Sequence, residues 1–544
     1  MKIFQPKLLL SLKQYSKKQF VADIVAGIIV AIIALPLSIA LAIASGVSPE
    51  RGLYTAIVAG FMIALLGGSG VNISGPTAAF ATIVAGIVAQ YDISGLVIAT
   101  VMAGLLLILM GVFRFGALIK YIPHTITTGF TSGIALTIVI GQIKDFLGLT
   151  YAPGTPNVET VEKVEAIIGH IGSFNWQALL VGLVCLAILI VWPRVSKKIP
   201  GSLIAVVAGV LMVKLLPIEV NTIGDLYEIS RTPPTFSFPQ FSWQAVGDLL
   251  PSAFTIAILA AIESLLSCVV SDGMIGDRHN SNTELIAQGV GNIASGLFGG
   301  IPATGAIART AANVKNGGRT PIAGMVHAVV LLLILLVLMP YAAWIPMPTI
   351  AAILFMVAYN MCEWRQFVRI CKTAPWTDIL VLVLTFLLTV VFDLVVAIEV
   401  GMVVTAFLFM KKMADAAHVR EWKPAAGDAR LKEIPAHTAV YEMDGPMFFA
   451  AAERFASLQV KEGISTVILR MHGVTSLDVS ALRTLQALYT RLREAGIRVL
   501  FAHVEPDPLA VMKKAGFVEM AGEESFFPHI DAALAAAAEN GASE

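Results

Sequence analysis

Charge is what this sequence has least of. Asp, Glu, Lys and Arg make up 14% of its 544 residues, against about 25% in a typical soluble domain, while hydrophobic residues reach 57% and the mean hydropathy is +0.81. That balance argues against an ordinary soluble fold and for a polytopic membrane protein. Positive and negative residues cancel at 37 each, and nothing in their placement suggests a nucleic-acid surface. Cysteine is almost missing: Cys185, Cys268, Cys362 and Cys371 lie in or beside apolar runs without metal-ligand spacing, so they read as small core residues and no disulfide framework is expected. Also missing are an HExxH pattern, a GxSxG nucleophile turn, a Walker lysine motif and a dinucleotide fingerprint, so no enzyme activity, cofactor or resident metal is expected. Isolated histidines such as His124 and His327 read as structural. The start, MKIFQPKLLLSLKQYSKKQF, is basic and amphipathic and lacks a small-residue cleavage site, so no signal peptide is expected.

What the chain has instead is a succession of apolar segments from about residue 20 to about residue 413, some fourteen in all, several short or broken. Alternate turns are basic, as a cytoplasmic N-terminus requires: Arg114 and Lys120; Arg194, Lys197 and Lys198; Lys315 and Arg319; Arg365, Arg369 and Lys372; Lys411 and Lys412. The intervening turns carry only scattered exceptions (Arg51, Lys144, Lys163, Arg231). Four regions follow: a cytoplasmic segment 1–19, a membrane domain 20–413, a linker 414–435 and a charged α/β domain 436–544, both termini being cytoplasmic.

The membrane region resembles itself. LLLIL begins at Leu105 and again at Leu331, YIPHTITTGF at Tyr121 is answered by WIPMPTIAAI at Trp344, and GGSGVNISGPTAAF from Gly67 by GGIPATGAIARTAANV from Gly299. Three matches in the same order, at similar offsets, describe one repeat of seven segments, although apolar sequence also matches itself easily. An odd number inverts the second copy, the arrangement secondary transporters use with the substrate near the midplane. The segments from Ser74 and from Thr304 are too short to cross about 30 Å at 1.5 Å per residue. Both open with Ser/Thr and Gly as helices begin, so each is expected to be a half-helix whose free N–H groups and positive end face the other. Such a pair makes an anion site, and Arg309 adds a full charge there, unless its role is to neutralise a buried acid or to tie down carbonyls.

Glu263 stands in the apolar run LAAIESLLSCVV with Ser267 one turn on, so carboxylate and hydroxyl share a face. A carboxylate in a membrane segment is protonated, meets a cation, or pairs with a base such as Arg309. The first two would couple transport to a proton or a cation; the third would be a static structural pair.

With SGPTAAF at Ser74–Phe80, GAIARTAANVKNGG from Gly305, AAIESLLSCVVSDGM around Glu263 and the C-terminal α/β domain in view, the chain resembles the SulP family of anion transporters, the sulfate permease and prestin superfamily. Ala34–Val47, IKDFLGL and Met447–Glu453 are most similar to its bacterial C4-dicarboxylate subgroup. The resemblance implies a polytopic α-helical protein of fourteen segments as a seven-plus-seven inverted repeat with core and gate domains, a homodimer in the inner membrane of a bacterium. It implies a substrate site at Ser74, Gly75, Pro76 and Thr77 and at Thr304, Gly305, Ala306 and Ala308, with Arg309 behind them. Glu263 and Ser267 match the acid and hydroxyl of relatives that carry bicarbonate with sodium, but glutamate replaces aspartate, which favours a proton over sodium. Leu37, where sulfate-type relatives carry glutamine, leaves fewer donors for a tetrahedral oxyanion and shifts the expected substrate from sulfate toward succinate and fumarate. Bicarbonate or sulfate transport, and an uncoupled exchanger or channel, remain the alternatives.

The C-terminal domain is similar to a STAS domain (sulfate transporter and anti-sigma-factor antagonist), with strands expected at Thr438–Met443, Thr466–Met471 and Arg498–Val504 and helices at Phe448, Asp478 and Pro508. Asp478 is followed by Val479, with Ser480 a place later, which argues against phosphorylation in the antagonist manner. A regulatory or partner-docking surface is expected there.

Overall fold

The computed structural model describes all residues except 1–3, 118–122, 158, 197–198, 240–242, 393, 423–433, 457 and 542–544. Lys120, Lys197, Lys198, Tyr121 of the first repeat, half of the 414–435 segment and the last three residues therefore lie outside the described residues. The chain divides into two compact units, Met1–Met402 and Val403–Glu544.

The first unit is helical. Its elements are α1 Lys17–Ala44, α2 Pro49–Leu66, β1 Ser74–Gly75, α3 Ala81–Val112, α4 His124–Leu147, α5 Trp176–Val195, α6 Gly201–Leu215, α7 Trp243–Ile275, α8 Ser281–Leu297, β2 Thr304–Gly305, α9 Ile307–Lys315, α10 Ile322–Ala342, α11 Met347–Cys362 and α12 Trp376–Val391. A further helix, α13 Leu394–Ala416, runs across the division. Helix α3 is interrupted at Asp92, whose φ of 54° and ψ of −168° break the helical path. Counted as two, it brings these thirteen helices to fourteen segments, seven up to α6 and seven from α7. Eight spans among the described residues are long and apolar enough to cross a membrane. The others include the half-helices: Ala81–Tyr91 covers about 16 Å and α9 about 14 Å at 1.5 Å per residue, roughly half of a bilayer core.

Capping and close packing fix the helix ends and crossings. Ser16 accepts from Gln19 N to start α1, Asn280 from Thr283 N to start α8, and Gly148, with φ 62°, ends α4 in the left-handed region. Helix α3 crosses α8 at glycine: a Cβ on Gly104 would lie 2.6 Å from the Gly289 carbonyl and one on Gly289 2.5 Å from that of Gly104. Small residues let backbones approach where lipid offers no hydrophobic drive between helices. The two repeats are also tied by Asp23, fully buried in α1, which accepts from Arg319 N at 2.8 Å and Thr320 Oγ1 at 2.6 Å before α10, and from Tyr15 OH at 2.9 Å. Burial and then the Asp23 carboxylate push the Tyr15 phenol up to about 12, so it stays a donor.

The two-residue strands β1 and β2 pair antiparallel, Ser74 opposite Gly305 and Gly75 opposite Thr304, which is the relation a two-fold axis between inverted copies generates. This corrects the reading of these residues as helix caps. The α-helices begin later, α3 after a 3-10 turn at Ala78–Phe80 with Thr77 ahead of it, and α9 after Ala306, and neither has a side-chain cap.

The second unit holds a five-stranded sheet in the order β3 His418–Glu421, β4 Thr438–Asp444, β5 Thr466–Gly473, β6 Arg498–Ala502, β7 Phe526–Phe527, parallel except for β3 against β4. Strand β3 comes from the segment expected to be linker. Helices α14 Val479–Glu494, α15 Pro506–Lys514 and α16 Ile530–Gly541 cover the sheet. One face buries Tyr441, Leu469, Phe501 and Leu485, and the other Val440, Ile468, Leu500 and Leu534. The helix expected at Phe448 begins only at Ala452, and β6 stops at Ala502, short of Val504. Asp478 caps α14, accepting from Ala481 N at 2.8 Å and, on its other oxygen, from Phe449 N at 2.9 Å.

Candidate functional site

The β1–β2 crossing places the starts of the two half-helices side by side. Glycine is required at both strand positions. A Cβ on Gly75 would lie 2.6 Å from Arg309 Nη1 and 3.4 Å from Ala56 Cα, and one on Gly305 would lie 2.7 Å from the Asn72 amide and 3.1 Å from Ser264 Cα. Arg309 is buried and donates through Nη2 to the Pro76 carbonyl, while Nη1 has no hydrogen-bond partner among the described residues. A buried guanidinium edge left open beside two helix N-termini is suited to an anion, because a helix start carries unsatisfied N–H groups and about half a positive charge.

Glu263, half-buried in α7, accepts from Thr77 Oγ1 at 3.0 Å. No direct ion pair joins it to Arg309 among the described residues, so the two are not locked as a static pair. Ser267 does not share this environment: its hydroxyl is buried and donates to Asn72 Oδ1 at 2.8 Å, with Thr310 Oγ1 at 3.1 Å. Thr304 donates to the Ala260 carbonyl at 3.0 Å and meets Ser264 Oγ at 2.8 Å, which in turn accepts from Gly305 N at 3.0 Å. Ser74 Oγ accepts from Gln288 Nε2 at 3.0 Å and is buried. Ala306 N donates to the Ile73 carbonyl at 2.8 Å. Ala308 is exposed and Thr77, Ala306 and Glu263 are partly so, which makes this the more exposed side of the group; Ser74, Thr304, Arg309 and Ser267 form its buried wall.

Behind that wall lies a carboxylate the sequence reading passed over. Glu284 is 1% exposed and accepts from Gly68 N at 2.9 Å, Ser69 N at 3.2 Å, Asn72 Nδ2 at 2.8 Å and Gln288 Nε2 at 3.0 Å. Through Asn72 and Gln288 it positions Ser267, Thr310 and Ser74. Asn292 continues the row, donating to the Ala303 carbonyl at 2.9 Å and accepting from Ala303 N at 2.8 Å just before β2. Glu284, Gln288 and Asn292 recur every four residues of α8, a polar stripe that was the available signal.

A profile of the sulfate permease family matches residues 20–385, and one of the STAS domain matches residues 429–533. This chain belongs to the sulfate permease family. Among relatives in sequence, "Putative sulfate transporter YvdB" of Bacillus subtilis is 40% identical over 95% of this chain and 98% of that protein. Bicarbonate transporter BicA of Picosynechococcus sp. is 34% identical over 76% of each. The solved transmembrane domain of a cyanobacterial BicA superposes with a TM-score of 0.64 at 30% identity, covering 71% of this chain and 98% of that one. The murine Solute Carrier 26 family member A9 anion transporter, solved in the inward-facing state, shares the fold at TM-score 0.86 and 20% identity over 98% of this chain and 94% of its own. As a member of the family the chain is a multi-pass membrane anion transporter with a STAS domain.

Proposed function

We propose that the protein is a secondary active carrier that moves small carboxylates, the C4-dicarboxylates succinate and fumarate, together with protons into a bacterial cell across the inner membrane. The observation that carries this reading is the pairing of an open buried guanidinium edge on Arg309 with a carboxylate, Glu263, that has a hydroxyl partner but, among the described residues, no ion-pair partner. The two half-helix starts and Arg309 supply positive potential to an anion. Glu263, on the accessible side, can exchange its charge for a proton as the anion arrives, so that each favours the binding of the other by the same free energy. Leu37 in place of an amide supports a carboxylate over a tetrahedral oxyanion. The names of the relatives favour a second reading, carriage of bicarbonate or sulfate by the same site. In either reading the protein works as a homodimer with both termini in the cytoplasm, and the STAS domain offers a regulatory or docking surface.

The deciding experiment is counterflow in proteoliposomes loaded in turn with succinate, fumarate, bicarbonate, sulfate and chloride. Exchange of labelled succinate against succinate and fumarate supports the first reading. Exchange only against bicarbonate or sulfate replaces it with the second.

A further inference from the structure

Outside the transport site, three side chains converge at one end of the parallel strands in the α/β unit. His472 lies near the end of β5, His503 directly follows the neighbouring β6, and Glu505 immediately precedes α15. His472 Nδ1 is 3.2 Å and His503 Nε2 3.9 Å from the same oxygen, Glu505 Oε1. One ligand atom from each residue falls within 4.8 Å of the others, and the group is alone in this among the described residues. The imidazole rings of His472 and His503 are tilted by 53° with centroids 4.2 Å apart. His503 holds a φ of 56°, a left-handed conformation that is unfavourable in a residue with a Cβ and that concentrates at functional positions. Neither of its ring nitrogens has a hydrogen-bond partner among the described residues. A strained backbone that delivers an imidazole without a hydrogen bond to a second imidazole and a carboxylate has no evident packing reason, since all three side chains are at least a third exposed.

We propose that His472, His503 and Glu505 form a binding site for one divalent transition-metal ion of the zinc class. Two nitrogens and one carboxylate oxygen suit zinc, whereas magnesium and calcium select all-oxygen sets. Zinc bonds of about 2.0–2.2 Å bring tetrahedral ligand atoms to about 3.3 Å from one another, so the widest separation has to close by up to about 1.5 Å, which rotation of exposed side chains allows. The fourth position is open to water, and His529, with its ring centroid 5.7 Å from that of His503, is a further nitrogen donor beside it. The neighbouring Arg470 guanidinium is bridged to Glu442, a carboxylate it shares with Arg420. The site is independent of the transport reading above.

The test is a titration of the full-length, chelator-stripped protein in detergent with Co2+, followed by its visible d–d absorption, and with Zn2+ by calorimetry. One saturable equivalent per chain is expected, with tetrahedral Co2+ intensity displaced by Zn2+. His472→Ala and His503→Asn (asparagine tolerates the left-handed φ) should each lower Zn2+ affinity by roughly 100-fold, and Glu505→Gln by about 10-fold or more. A His418→Ala control should leave it unchanged. Should the His503 variant fail to fold, His472→Ala carries the result alone. Absence of saturable binding, or unchanged affinity in His472→Ala, overturns the proposal.

Discussion

Glu263 and Ser267, one helical turn apart, stand in separate surroundings: the acid faces Thr77 on the more exposed side, while the hydroxyl is locked to Asn72 and Thr310 in the wall. If Glu263 is the coupling group, uptake of labelled succinate should rise as external pH falls and should not need sodium, because protonation and anion binding reinforce each other. Glu263→Gln imitates the protonated state. It should retain exchange yet lose accumulation driven by an imposed pH gradient, and full accumulation in that variant would remove Glu263 from the mechanism. A carboxylate introduced at Ala308 or Thr77 tests the anion site directly. Like charges about 4–5 Å apart at an effective dielectric of about 20 repel by about 3–4 kcal/mol, so Ala308→Asp and Thr77→Asp should weaken substrate binding by roughly 100-fold or more while the protein still folds. Unchanged affinity by calorimetry would place the site elsewhere.

At the scale of elements, the crossing of α3 with α8 rests on glycine and gives a contrasted pair of substitutions. Gly104→Leu has to displace the Gly289 carbonyl and the Ile293 side chain, and should lower the melting temperature in detergent by overpacking worth about 1–3 kcal/mol or more. Gly86→Ala, whose Cβ meets nothing within 4 Å inside the first half-helix, should be neutral or gain about 0.5–1 kcal/mol. Equal melting temperatures for the two variants would show that the crossing is not tight. The segments, the repeat and the residues at the half-helix starts could all be read from the sequence, because hydropathy and length decide them. The β1–β2 ladder could not: two residues are too few for a strand period, and their pairing is a property of the fold across some 230 positions. Ser74, Gly75, Thr304 and Gly305 therefore looked like caps. Glu284 was passed over for a different reason. Its helix is polar enough to read as an ordinary amphipathic face, and only the structure shows that this face is buried, with the Glu284 carboxylate hydrogen-bonded on both oxygens. In the α/β unit, β3 was hidden because His418–Glu421 is a four-residue, mostly charged and exposed run with no hydrophobic strand pattern, in a segment that reads as linker.

For the whole molecule, the placement of β3 decides where the chain can be cut. Ending it after Ala417 removes the sheet entire and should leave a folded, monodisperse membrane unit by size exclusion, with transport rate or abundance altered more than the rank order of substrates. Ending it at Pro435 leaves His418–Glu421 without its partner strand, an open edge that should promote aggregation. A change in selectivity as large as the change in rate would contradict a regulatory role for the STAS domain. The ladder between Ser74 and Gly305 has a consequence for biogenesis. The ribosome must add 231 residues after the first partner before the second exists, which at about 5–20 residues per second takes roughly 12–46 s. Throughout that interval a strand with unpaired amides waits at membrane depth, where each unsatisfied group costs several kcal/mol. The first half of the chain is thus a client of the insertion machinery until the second half arrives to complete it.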